Sequence, residues 1–280
     1  MKRVERVIAN TLLDAQNEHL TREALEGLAD SVAARVVPVG VEHDPRVRPV
    51  GRVVSGYVRD REDGEAEAVV VYEIYENQAD LALLPDDGRT LAIHDDLDPD
   101  ELSVSYDYTY RHADDQEDIR AIDEVLGSES EYEAKKSADP LSVLTIAGAF
   151  VLGGIATGFF NAAGADGWIR IKTRLVALAA RKQHRPGDQL LVFRAIVPNL
   201  DGRSVQIDTI LTNPSPEEID QFITHGVELV DSLVERVVRA SGDVRQLVLS
   251  SGGQHVRLEF GVRRDGVPLS IEDERHPRGH

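Results

Sequence analysis

Residues 141–164, LSVLTIAGAFVLGGIATGFFNAAG, run 24 residues without a charge. About 20 apolar residues cross a bilayer core as a helix. At about 1.5 Å per residue this run reaches roughly 36 Å. Gly148, Gly153, Gly154 and Gly158 leave notches in it, and the Gly154-x-x-x-Gly158 spacing lets two helices approach closely. Trp168 follows where an interfacial aromatic lies. Arg170, Lys172, Arg174, Arg181, Lys182 and Arg185 come next, interleaved with Ile169, Leu175, Val176 and Leu178. That pattern predicts a basic amphipathic helix over 165–186. The apolar run itself is predicted to be one continuous helix. It either spans a membrane or lies buried in a homo-oligomer that packs through Gly148, Gly154 and Gly158. As a span, the basic excess after it puts the C-terminal side in the cytoplasm.

Before this run the chain reads as an acidic, β-rich domain over 1–126. Thr21 is a good N-cap for a helix over 22–35, where Leu25, Leu28, Ala29 and Val32 recur at helical spacing. Short β-rich runs follow at 35–41, 49–58, 66–75, 90–93 and 102–110, divided by polar or Gly/Pro/Asp segments. Residues 114–126 suit an acidic helix, and 127–140 read as a linker. Beyond the run, 187–270 predict a ββαββ unit. Its strands are 189–197, 205–212, 244–250 and 255–262. Its helix, over 216–239, is capped by Asn213 or Ser215 and carries Ile219, Phe222, Val230, Leu233 and Val237 on one face. Residues 271–280 form a polar tail. The fold class is therefore α+β: a β-rich N-terminal domain with one early helix, a central apolar helix and a C-terminal ββαββ unit. No charged-then-apolar leader opens the chain, so no cleavable signal peptide is expected, and the protein is placed at a membrane or in the cytoplasm.

Charge narrows the function. The formal net charge is −19. Residues 1–140 hold 34 acidic and 15 basic residues, and 141–280 hold 16 of each, so the whole imbalance lies in the first half. Such a surface disfavours nucleic acid, which needs a basic face. It suits self-repelling solubility or an acidic docking face for a protein partner. The 280 residues include no cysteine, which excludes disulfides, thiolate metal sites and cysteine nucleophiles. Asp96, Asp98, Asp100 and Asp107 have calcium-loop spacing, but Glu101 replaces the glycine that loop requires. No P-loop, dinucleotide fingerprint, G-x-S-x-G or H-E-x-x-H is present. Neither a cofactor nor a metal is expected.

Two short motifs carry the only catalytic reading. His43-Asp44-Pro45-Arg46 stands between two predicted strands, where a histidine can act as a general base or simply belong to an Asp-Pro turn. Ser103 and Ser105 alternate with Leu102, Val104 and Tyr106, so both serines share one strand face. A serine there is a nucleophile only beside a base, and is otherwise part of a polar face. With Pro49-Val50-Gly51 after His43 and Ser103-Val104-Ser105-Tyr106 downstream, residues 4–140 resemble the prohead-protease (assemblin-like) fold of tailed phages and herpesviruses. The resemblance implies His43 as base and Ser103 as nucleophile of a serine endopeptidase, with Ser105 where the family has glycine. A third, orienting residue is implied further on, where Glu129, Glu131 and Glu133 stand and no local motif selects one. The apolar run outweighs two short motifs. The leading expectation is a membrane-associated or oligomer-forming binding or regulatory protein. A prohead-type protease or its inactive relative, tied to phage assembly, is the alternative.

Overall fold

The computed structural model of the chain describes residues 1–13, 19–41, 44–76, 88–93, 102–133, 141–150, 154–182, 186–198, 204–240, 243–252 and 255–269. It divides into two units, one from Met1–Ala92 with Val262–Leu269 and one built on Ile93–Gly261. Helices and strands both contribute, so the protein is α+β.

In the first unit, β1 (Lys2–Asn10), β2 (Pro38–Val39), β3 (Gly51–Asp60) and β4 (Ala66–Ile74) form an antiparallel sheet in the order β1-β4-β3-β2. The helix α1 (Arg22–Ala34) starts where the Thr21 side chain accepts from the Ala24 N–H at 3.2 Å. Its Leu25 joins Ala9, Ala66 and Ala68 in a small core. Gly56 of β3 permits this packing, because a Cβ there would sit 2.9 Å from the Ala29 carbonyl oxygen. The unit is completed from the far end of the chain. The buried Arg52 donates to the Asp265 carbonyl at 3.3 Å, Tyr75 to the Gly266 carbonyl at 3.3 Å, and the Leu91 N–H to the Arg264 carbonyl at 2.8 Å.

The remaining elements are β5 (Leu102–Tyr106), α2 (Ala113–Leu126), β6 (Glu131–Tyr132), β7 (Ser142–Ala149), α3 (Ile155–Lys182), β8 (Gln189–Pro198), β9 (Ser204–Thr212), α4 (Pro216–Gln221), α5 (Val227–Ala240), β10 (Val244–Gly252), β11 (His255–Arg263) and β12 (Pro268–Leu269). A π-helical turn, Phe222–Gly226, joins α4 to α5. The strands form one mixed sheet in the order β12-β11-β10-β9-β8-β7-β5-β6, whose last residues, from Val262, belong to the first unit. Parallel neighbours need a crossover. The pairs β5–β6, β7–β8 and β9–β10 are each parallel and each bridged by a helical connection. Antiparallel pairing of β5 with β7 and of β8 with β9 joins them into one sheet.

The uncharged run is therefore not one helix. Its first third is β7, an interior strand between β5 and β8, and the helix begins only at Ile155. Within α3, Gly164 has φ 68° and ψ 163°, so two helical segments meet at a kink. No helix among the described residues is long and apolar enough to cross a membrane, which overturns the transmembrane reading. An interior strand buries both faces and so reads as continuous apolar sequence, as a buried helix does. Gly148 accordingly is a strand residue whose missing Cβ makes room for Phe150 and Leu102, and Gly154 precedes the helix. Neither forms a helix notch.

The basic residues after the run also have another use. Arg174 pairs with Asp118 at 2.8 Å, Arg181 with Asp115 at 3.0 Å and with Asp118, and Lys182 with Asp115 at 3.5 Å. Lys172 pairs with Asp220 of α4. These contacts fasten α3 to its neighbours, with Asp115 and Lys182 fully buried. The acidic helix and the basic helix, read as separate features, are two sides of one ionic lattice.

Domain limits shift for the same reason. Strand 102–106 and helix 113–126, expected in the N-terminal domain, pair and pack with β7 and α3. The segment expected as a linker contributes β6. The ββαββ order of the C-terminal region is present, but β8 continues into β7 and the sheet does not end there.

Candidate functional site

Helices cover one face of the eight-stranded sheet. Tyr106 reaches Gln116 of α2 on that side, and the Phe193 and Phe222 rings lie 4.8 Å apart. Strand alternation sends the intervening residues to the opposite face. There the register aligns Ser103, Ala147, Arg194, Asp208 and Val248 across β5, β7, β8, β9 and β10. The next row aligns Glu131, Ser105, Thr145, Val192, Ile210 and Ser250.

Apart from Glu131 and Ser250, which donates to Glu259, the polar groups in and beside these rows fall into three sets. Ser105 donates to Glu133 Oε1 at 2.5 Å, at the exposed end. Arg194 Nε donates to Asp208 Oδ1 at 2.7 Å, and Gln206 and Gln246 donate to Asp208 Oδ2 at 2.7 and 3.1 Å. Between these lie the hydroxyls of Ser103 and Thr145 and the two Nη groups of Arg194, which have no hydrogen-bond partner among the described residues and are not among the buried atoms left unsatisfied there. Exposure falls steadily inward. Glu133 is exposed and Ser103 and Ser105 are half-buried, whereas Thr145 is 4% and Asp208 2% exposed. Burial pulls the Arg194 guanidinium downward, but the charge and hydrogen bond of Asp208, with Glu133 behind, hold its pKa above the usual value. The small side chain of Ala147 separates Ser103 from Arg194. The result is a row of polar side chains running from β6 toward the β8–β9 pair, among buried Ala147, Val192, Ile210 and Val248.

Of the sequence-predicted catalytic residues, Ser103 lies in this row. His43 lies outside the described residues, as does the acidic run 94–101 considered for calcium, so the His43–Ser103 pair has no geometry here. Of the three glutamates considered as a third member, Glu133 meets a serine, but that serine is Ser105. Among the described residues no group of acidic and histidine side chains could hold a metal ion. The residues missed from sequence are Arg194, Asp208 and Thr145. Their signal was present: Arg194 and Asp208 are single charges inside the apolar strands LLVFRAIV and VQIDTIL. A charge in a strand buried on both faces needs a partner.

Three other features stand apart from these rows. The N-terminus of α3 is already served within the chain, since the Ile155 N–H donates to Asp231 Oδ1 at 3.0 Å. That of α4 is closed by a capping box between Ser215 and Glu218. A shallow cavity of about 550 Å³ beside the end of α2 is lined by Arg120, Asp123, Glu124, Ser128 and Glu129 and opens broadly to solvent. Compared with family models, curated proteins and solved structures, the chain finds no match.

Proposed function

We propose that this is a binding protein with a regulatory or structural role, and that it recognises its ligand through the polar row on the sheet face opposite α2 and the Phe222 turn. The observation that carries this reading is a row of polar side chains on one sheet face, in which Arg194 is bound to Asp208 through Nε, with Thr145 and the half-buried Ser103 on the neighbouring strands.

A serine nucleophile needs a base to take its proton. In these rows the groups beside serines are carboxylates, Glu133 beside Ser105 and Glu259 beside Ser250, weaker bases than imidazole at neutral pH. The alternative, a prohead-type serine endopeptidase or its inactive relative, requires Ser103 to be activated by His43. Reaction with a fluorophosphonate probe separates the two. The binding reading expects no labelling of the native protein. Labelling that disappears in Ser103→Ala, with loss of self-cleavage or peptide cleavage, would replace it with the hydrolase reading. Native mass in detergent-free buffer tests in the same preparation whether the protein assembles with itself.

A further inference from the structure

We infer that the cavity beside the end of α2 binds a small diamine, one of whose ammonium groups is held by Asp123 and Ser128. The site lies outside the polar rows of the sheet and is independent of their role.

The helix C-terminus builds the cavity. Gly127 takes a left-handed φ of 67°, and the N–H groups of Gly127 and Ser128 both donate to the Asp123 carbonyl, at 2.8 and 3.2 Å. This turn folds the chain back beside the last turn of α2. Space opens there: a Cβ on Gly127 would meet no atom beyond its chain neighbours within 4 Å, and the cavity holds about 550 Å³. Two buried side-chain oxygens of its lining residues, Asp123 Oδ1 and Ser128 Oγ, have no hydrogen-bond partner among the described residues. Buried polar atoms are ordinarily satisfied, and an orphan asks for a water, an ion or a ligand. Ser130 already hydrogen-bonds the Asp123 carboxyl, yet burial holds its pKa above the usual value, and the charge of Glu129 adds to the rise. The fold thus leaves this carboxylate short of donors and of positive charge. The χ2 torsion of an aspartate is broad and a serine hydroxyl turns about χ1, so both oxygens can swing to meet a donor.

Both orphan atoms accept, so the ligand brings donors, and charge makes those donors cationic. The lining carries the carboxylates of Asp123, Glu124 and Glu129 against the single guanidinium of Arg120, which is turned back to the Gln116 carbonyl at 3.1 Å. The negative end of the α2 dipole lies here, and no basic residue stands in its last turn. One ammonium leaves a carboxylate in excess, and a second balances it. A bare metal ion fits poorly, because among the described residues no group of acidic and histidine side chains could hold one. An ammonium instead brings three N–H donors.

Calorimetric titration of the full chain with putrescine, at about 0.15 M salt to screen the acidic surface, tests the inference. Butylamine, with one charge, hexamethonium, with two charges and no N–H group, and magnesium serve as comparisons. Putrescine should bind at least about tenfold more tightly than any of the three, a step of about 1.4 kcal/mol. Asp123→Asn should weaken putrescine binding at least about tenfold, and Ser128→Ala should weaken it as well. Glu117→Gln, which removes an exposed carboxylate of the same helix outside the cavity, should leave it unchanged. Melting curves establish that each variant is folded, and Ser128→Ala carries the test if Asp123→Asn is not. No measurable binding of putrescine, equal binding of any comparison compound, unchanged affinity in a folded cavity variant, or an equal loss in Glu117→Gln would overturn the inference.

Discussion

Arg194 and Asp208 show what one side chain can decide. Each stands in a strand where almost every neighbour is buried and apolar, and each is tolerated because it faces the other at 2.7 Å. Removing one partner leaves the other charge buried. Asp208→Ala is expected to destabilise the protein by about 3–5 kcal/mol, read from urea unfolding, and a loss below the error of that measurement would show the guanidinium to be solvated. Asp123 gives the opposite sign. Burial holds its carboxyl above its usual value, against hydrogen bonds from Ser130, and its Oδ1 has no partner. The folded chain therefore takes up a proton more readily than the unfolded one. The stability this group contributes is present below the ordinary value of 3.8 and is lost as pH rises through the raised value. Asp123→Asn should accordingly raise the melting temperature at neutral pH and flatten its fall above the ordinary aspartate range. A lower melting temperature at neutral pH would mean that the ionised form is favoured in the fold. Of the candidate site, the sequence made Ser103 visible by strand alternation. Arg194, Asp208 and Thr145 stayed hidden because their meaning depends on which strands lie side by side, and register is not local information.

Elements were more legible than their pairings. The Thr21 cap, the strands at 51–60 and 66–74 and the 216–240 helical stretch follow turn residues and periodicity that the chain displays openly. The uncharged run defeated the same method because an interior strand and a buried helix share one composition. β-branched Val143, Thr145 and Ile146 were the available sign of a strand, and the Gly153-Gly154 pair the sign of its end. Gly148 distinguishes the two structures experimentally. In the strand, an added Cβ would lie 2.4 Å from a Phe150 ring carbon and 2.6 Å from a Leu102 methyl. Gly148→Ala is thus expected to cost about 1–3 kcal/mol by overpacking. A helix would gain from the same change, since alanine is the better helix former by about 1 kcal/mol. A stabilised Gly148→Ala protein would contradict the strand.

Chain order and unit membership part company in this protein, and that is why domain limits drawn from composition came out at 126 where the first unit ends at 92. Acidity is continuous across both sides of that point, so charge gave no boundary. Nor did any local pattern tell that residues 262–269 return to the first unit. Their contribution is specific. Arg52, 2% exposed, finds a backbone acceptor at Asp265, and burial pushes the Tyr75 phenol upward while its hydroxyl donates to the Gly266 carbonyl. Gly266 has φ 81°, and a Cβ there would lie 2.5 Å from a Val36 methyl. Without this hairpin tip the first unit keeps a buried guanidinium with one acceptor fewer, and each buried donor left unsatisfied costs about 1–3 kcal/mol. The apolar cover of Val262 and Val267, both buried, goes as well, at about 1.5–3 kcal/mol each. Those losses are of the size of a small domain's whole stability, about 5–15 kcal/mol. A fragment of residues 1–92 is therefore expected to show no cooperative thermal unfolding. The same fragment with 262–269 joined through a flexible linker should recover it, and Gly266→Ala in the joined form should lose it again through both the positive φ and the clash. Cooperative unfolding of 1–92 alone, at the same temperature as the joined form, would show that the hairpin tip rests on the first unit without completing it.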